Sequence, residues 1–310
     1  MSNVSRFPAL IVTLAALLAA NILVGTTATT DSFVILSLRV PAAVTALITG
    51  AALAGGGLVM QTLFRNPLAD PSILGVSAGA GLGAAIALLV FGSFAMAAGT
   101  AFAGALAVIA LLTAASRQLR ATTGLLIVGV MLSFIISSLT ALLSFFATAE
   151  GVRSYIIWGM GDFGGVVGTR LAALTIGCIA VIAAAPLAIR ALDALLLGDD
   201  YARSLGIDTR RWRTALLVAV GWVTALTTAV CGPIAFLGLA VPHMARLIMQ
   251  TDTHRTLLPA TLLIGSATAL ACLFVTRLPA ALGITHSVLP LGAITPLIGA
   301  PVVIYILIKK

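Results

Sequence analysis

Charge is scarce in this sequence. Only 8% of its 310 residues are charged while 61% are hydrophobic, against about 25% charged in a soluble domain, so an aqueous globular enzyme is excluded. Lysine is nearly missing. Lys309 and Lys310 are the only two, and a P-loop needs a lysine on the nucleotide phosphates, so the chain cannot hydrolyse ATP by itself. The nine acids, from Asp31 to Asp252, fall at or near the ends of apolar runs. Carriers driven by proton or sodium gradients keep ionisable groups within their spans, and that mode of coupling is disfavoured. The three histidines, His243, His254 and His286, lie in different segments, and no H-E-x-x-H or G-x-S-x-G is present, so no catalytic or metal site is legible. Cys178, Cys231 and Cys272 stand singly in apolar runs and read as small buried hydrophobes. No run of five basic residues occurs, which argues against a nucleic-acid face.

What is present is apolar sequence in long blocks. A helix needs about 20 apolar residues to cross the hydrocarbon, whereas a membrane β-barrel alternates apolar and polar residues in runs of about ten. Stretches such as 103–115 and 125–147 are apolar on nearly all sides, so the expected fold is all-α, a polytopic transmembrane helical protein. Breaks at Pro, Gly and charge divide it into about ten spans: 7–25, 41–63, 72–91, 94–115, 122–148, 169–189, 213–231, 233–249, 257–276 and 289–308. The first run is longer than a signal-peptide core and has no convincing cleavage site, so it reads as a retained span. With both termini cytoplasmic, thirteen basic residues face inward and only Arg39, Arg153, Arg170 and Arg277 face outward, as the positive-inside rule requires.

Gly75, Gly79 and Gly83 recur every four residues and so share one stripe of a helix, suited to close helix packing or to a smooth wall beside a substrate path. The stretches Leu47 to Gly83 and Leu216 to Leu247 each read as helix, Pro-containing break and helix, starting from opposite sides, the pattern of inverted-topology repeats. One concentrated hydrophilic loop stands out. Residues 190–213 hold nine of the 26 charged residues (17 basic and 9 acidic). Within it Gly198, Asp199, Asp200, Tyr201, Ala202, Arg203, Ser204, Leu205 and Gly206 have an Asp able to cap a helix start and a Gly suited to a left-handed end. A solvated connector and a docking helix for a cytoplasmic partner both fit this pattern.

The punctuation carries a resemblance. Gln61-Thr62-Leu63-Phe64-Arg65-Asn66-Pro67-Leu68-Ala69-Asp70-Pro71, followed by Ile73-Leu74-Gly75-Val76, resembles the signature of the FecCD family, permease subunits of ABC importers for iron-siderophores, haem and cobalamin. Arg39-Val40-Pro41, Gly198 through Leu205-Gly206, Gly232-Pro233 through Pro242-His243 to Leu247, and Leu289-Pro290-Leu291-Gly292 to Pro301 agree in order and spacing. The resemblance implies one transmembrane permease domain over 1–310 with ten helices, in the cytoplasmic (inner) membrane. It implies as partners a second permease copy or homologous permease, two cytoplasmic ATP-binding subunits that use ATP and Mg, and a periplasmic or lipoprotein substrate-binding protein. The chain itself would carry no cofactor.

Residue by residue, the resemblance makes Gly198 to Gly206 the ATPase-coupling helix of a 190–213 coupling loop. It makes Arg39 and Arg277 docking groups for carboxylates on the binding protein, and it puts Gln61, Asn66, Pro67, Gly75, Gly79, Trp158 and Gly161 at the pathway or its gate. His243 belongs to a structural Pro-His turn in the family. The sequence departs from the family pattern at Ala42, Cys272 and Val288, and Asp162 stands where relatives have small residues. Ferric siderophore comes first as substrate, with haem and cobalamin behind it. A gradient-driven carrier of a small organic solute and a membrane enzyme are the rival functions.

Overall fold

The computed structural model describes residues 6–25, 31–118, 122–285 and 287–308. Arg120, His286, Lys309 and Lys310, which entered the orientation and histidine arguments, lie outside these. Every regular element among the described residues is helical. By length and composition seven helices can cross a membrane, whereas Val76–Val90, Leu237–Met249 and Leu291–Tyr305 are apolar but shorter. These three correspond to the third, eighth and tenth of the expected spans. The described residues form two compact units. One comprises Met1–Leu58, Gly161–Pro186 and Ile234–Lys310, and the other Val59–Met160 and Leu187–Pro233.

In the first unit, helix α1 (Arg6–Leu23) packs on a long helix, His254–Ala281, by a polar tie. The fully buried Asn21 donates from Nδ2 to the carbonyls of Leu17 (2.9 Å) and Leu270 (3.0 Å). Helix α2 (Val40–Phe64) enters through a π-helical turn, Ile35–Arg39, with Pro41 in its first turn, where a missing N–H costs nothing. Its Gly50 meets Gly265 of the His254–Ala281 helix so closely that a Cβ on either would fall on the other's carbonyl oxygen. Beside that crossing Ser266 Oγ donates to the Leu47 carbonyl at 2.9 Å. With no hydrophobic drive between helices in lipid, such backbone proximity and hydroxyl bonds hold the bundle.

In the second unit, helix α3 (Val76–Ala85) continues as a π turn to Val90 and packs against α4 (Phe94–Gln118) and α5 (Thr122–Phe146). A Cβ on Gly79 would come within 2.7 Å of the Gly104 carbonyl oxygen of α4, and one on Gly83 would fall on the Thr100 carbonyl. Two of the three stripe glycines therefore serve close helix packing. Gly75 instead holds φ +80° at the entry to α3, facing Gly129 and Ser133 of α5.

Two features escaped the sequence reading. Residues 149–159, which fall between the fifth and sixth expected spans, form helix α6 (Ala149–Gly159), started by Thr148, whose hydroxyl accepts from the Gly151 amide at 3.2 Å. The 190–213 loop is mostly helix as well. After α7 (Gly168–Ala184) and a 3₁₀ turn over Ala185–Ala188, α8 (Ile189–Leu197) and α9 (Asp199–Ser204) follow, and α10 (Thr209–Cys231) begins at once. Ala191, Leu192, Ala194 and Leu195 bury one face of α8, and that face was hidden in the sequence behind the local density of charge. Both expected helix breaks are real. The first carries Arg65 at φ +47° and Gly75, and the second carries Gly232 at φ +76° and Phe236 at φ +71° before α11 (Leu237–Met249). The long helix of the first unit is α12 (His254–Ala281), and α13 (Leu291–Ile308) closes the chain.

Candidate functional site

Helix α9 is too short to hold itself in water, and its order comes from its ends and one buried side chain. At its C-terminal end the Gly206 amide donates to the Arg203 carbonyl (2.9 Å) and the Ile207 amide to the Ala202 carbonyl (3.0 Å). With Gly206 at φ +78°, this is the left-handed Schellman closure that the sequence suggested. The N-terminal expectation needs correction. Gly198, not an Asp, is the cap residue and offers no side chain. Asp199 and Asp200 sit in the first turn, where a carboxylate favours the positive helix end. Asp199 also reaches across to Arg213 of α10 at 2.7 Å, with side-chain exposures of 26% and 10%.

Ala202 is fully buried, whereas Tyr201 and Leu205 are 49% and 58% exposed. Asp208 caps α10 by accepting from the Arg211 amide at 3.0 Å. The segment is therefore a short capped helix, tied to α10 on one side and showing an aromatic and a leucine on the other.

The outward arginines differ from each other. Arg39 departs from the expected exposed rim. It is only 5% exposed, and its Nη1 donates to the carbonyls of Ile22 (3.1 Å) and Leu23 (2.9 Å), so its charge closes the C-terminal end of α1, where the helix dipole is negative. Arg277 is half-buried on α12. Its Nη1 has no hydrogen-bond partner among the described residues, and it feels attraction from Asp162 and repulsion from Arg39. The Asp162 carboxylate accepts from the Gly164 (2.8 Å) and Gly165 (2.9 Å) amides, shaping the turn after Gly161 at φ +69°. Replacing Arg39 with Ala should lower thermal stability by about 2 kcal/mol, the worth of hydrogen bonds from a charged donor, measured by melting the purified protein in detergent.

Gln61 is buried near the end of α2. Asn66 and Pro67 build the turn after it, with Asn66 Oδ1 accepting from the Leu68 amide at 2.9 Å. Asp70 then caps the 3₁₀ turn Pro71–Leu74. Burial pushes its carboxyl above the ordinary range, partly offset by hydrogen bonds from the Ser72 hydroxyl and amide. Gly79 is shut between α3 and α4, and Gly161 lies in the turn before Asp162. Trp158 lines a cavity, about 660 Å³ in volume, inside the second unit. Its wall uses the face of α3 adjoining the glycine stripe, Ser77, Ala78 and Gly81, with Ser137, Thr140 and Ser144 of α5 opposite and Tyr155 of α6 beside Trp158. The hydroxyl residues of α5, spaced three and four apart, were the signal available in the sequence and were missed.

Among the described residues no group of three His, Cys, Asp or Glu is placed to hold a metal. His243 is buried in α11 next to Pro242, and all three cysteines are buried.

Comparison with known proteins places this geometry. The chain is 40% identical over 277 residues to the vitamin B12 import system permease protein of Salmonella paratyphi A, covering 88% of this chain and 83% of that one. It is 39% identical over 276 residues to the corresponding Escherichia coli O6:H1 protein, with coverages of 88% and 82%. A solved inward-facing structure of an ABC transporter of metal-chelate type superposes with a TM-score of 0.90 at 27% identity over 99% of both chains. PsaBC from Streptococcus pneumoniae shares the fold, with a TM-score of 0.60 at 15% identity over 89% of this chain and 91% of that one. The profile of the FecCD transport family matches residues 8–309, and the chain belongs to that family.

Proposed function

We propose that this chain is the membrane-spanning subunit through which an ATP-driven importer moves a metal chelate into the cell by alternating access. Family membership makes it a transport subunit whose ATP hydrolysis lies in separate partner subunits. The observation that carries the rest is helix α9, a capped lever anchored by Asp199 and Arg213 on a chain without nucleotide machinery of its own. In this reading Tyr201 and Leu205 present the surface that meets the ATPase, and residues 198–206 transmit its movement to α10. Two copies, or this chain and a homologous permease, enclose the path, with two ATPases inside and a substrate-binding protein outside.

The seven long helices and three shorter apolar ones make the ten spans of a single domain in the inner membrane, with both termini cytoplasmic and the two helix–break–helix stretches as inverted repeats. Arg277, half-buried where Arg39 is only 5% exposed, is the better of the two proposed docking groups for a carboxylate on the binding protein. Arg39 instead fixes the end of α1. The permeases of 39% and 40% identity import vitamin B12, which moves cobalamin ahead of ferric siderophore and haem.

Reconstitution with the ATPase and binding-protein partners tests this reading: uptake of chelate into proteoliposomes should require ATP and all three components. Uptake by the permease alone would indicate a gradient-driven carrier, and substrate turnover by the isolated chain an enzyme. In the same assay Gly206→Val should reduce ATP-coupled uptake about tenfold without weakening binding-protein docking. A β-branched residue at φ +78° costs on the order of 1–2 kcal/mol and unseats the end of α9.

A further inference from the structure

The cavity in the second unit is selective by the chemistry of its wall. None of its lining residues is ionisable in the physiological range, so a multiply charged anion seated against it would lose part of its water without a countercharge, a net cost. The wall is polar all the same. Thr140 Oγ1 donates to the Ile136 carbonyl and Ser144 Oγ to the Thr140 carbonyl, each at 2.9 Å. A hydroxyl whose proton is committed to its own helix offers only lone pairs outward, so these two groups present acceptors to the cavity. On the α6 side Tyr155 and Trp158 stack with ring planes 19° apart and centroids 6.1 Å apart, forming an apolar platform. The phenol oxygen of Tyr155 stands over α3, at 3.4 Å from where a Cβ on Gly81 would sit.

Acceptors facing a flat apolar platform, with no charge between them, suit a ligand edge that is neutral, carries N–H or O–H donors and has an apolar face. We infer that this cavity is a transit subsite for the uncharged, amide-bearing rim of a metal chelate, with Thr140 and Ser144 as acceptors and Tyr155–Trp158 as the platform, and that it rejects polyanionic chelates. The assignment rests on the importer reading. At about 660 Å³ the cavity is of ordinary ligand-site size and seats one edge of a larger chelate.

The test uses the full chain in nanodiscs with Ser137→Cys on the cavity wall. Cys178, Cys231 and Cys272 are buried and sheltered from a hydrophilic maleimide, whose background reaction is read on the unsubstituted chain. Cyanocobalamin, neutral and rimmed with amides, at about ten times its Kd should slow labelling at position 137 about tenfold. A ferric tris-catecholate, a polyanion of similar bulk, should not slow it. Adding Thr140→Val and Ser144→Ala should weaken the cyanocobalamin protection about tenfold, the loss of two hydrogen bonds. Thr140→Ser, which keeps the acceptor, should retain it. Absence of protection by cyanocobalamin up to millimolar concentration, equal protection by the tris-catecholate, or indifference to the double substitution overturns the assignment. ATP-driven uptake by the assembled transporter is scored separately. Uptake with no protection at position 137 removes only the cavity assignment, whereas protection with no uptake of any chelate removes the importer reading.

Discussion

Arg213→Met should uncouple ATP hydrolysis from transport while leaving the helical bundle intact. The Arg213–Asp199 pair is 2.7 Å long with side chains 10% and 26% exposed. It therefore lies between an exposed pair, worth a fraction of a kcal/mol, and a buried one, whose breaking costs several. About 2 kcal/mol is a reasonable figure on that scale. For a six-residue helix with no intrinsic stability a loss of that size decides whether it is ordered, since about 1.4 kcal/mol is already a tenfold change in the equilibrium. Chelate-stimulated uptake should fall more than tenfold, and ATP hydrolysis by the assembled complex should cease to respond to the binding protein.

Two controls bear on the cause. Arg203→Met removes a pair with Asp200 whose side chains are 60% and 100% exposed and should cost far less than Arg213→Met. Asp199→Asn combined with Arg213→Met should be less damaging than the sum of the two single effects, because both remove one interaction. Additive effects, or an equal loss from Arg203→Met, would show that charge in the segment matters and the 2.7 Å tie does not.

A large effect on folding is expected at Gly83. A Cβ there would fall on the Thr100 carbonyl oxygen and close to its carbon and the Ala101 Cα. Those are backbone atoms of a neighbouring helix and cannot rotate aside. Gly83→Val must push α3 and α4 apart, and with them the Gly79–Gly104 crossing, a cost of about 3 kcal/mol or more by the standard of overpacked cores. The variant should fail to give a monodisperse peak in detergent or should melt far below the parent. Gly99 is the matched comparison. It lies in α4 with nothing within 4 Å of its missing Cβ, so Gly99→Ala should hold or raise the melting temperature, as replacing a helical glycine in open space does. Similar melting for both variants would remove the close-packing account.

The stripe illustrates what was legible in the sequence. Gly75, Gly79 and Gly83 share a helix face by spacing alone, yet periodicity is indifferent to what the face meets. The structure divides the three, with Gly79 and Gly83 against α4 and Gly75 at a left-handed turn against α5. The cavity lies on the adjoining face of α3, where Ser77, Ala78 and Gly81 gave no periodic signal. In the same way the short helix after Gly198 and its left-handed glycine could be read locally, because capping and φ preference act over a few residues. Its tie to Arg213, fourteen residues on, could not. Arg39 shows the limit most clearly. An arginine at the outer end of a span reads as a rim charge, and only the return of the chain brings the carbonyls of Ile22 and Leu23 to it.

By itself the sequence determined the membrane-helical class, the places where helices break, the absence of a nucleotide site, and a resemblance carried by five motifs. Each of these depends on composition or on neighbours within a turn or two. The tertiary structure decided which glycines touch a neighbouring backbone, that Arg39 is committed to the end of α1, that the charged segment is a short helix tied to α10, and where an uncharged, hydroxyl-walled cavity opens. Those outcomes depend on contacts between residues far apart in the chain, and the hydropathy and spacing along a single strand of sequence do not specify them.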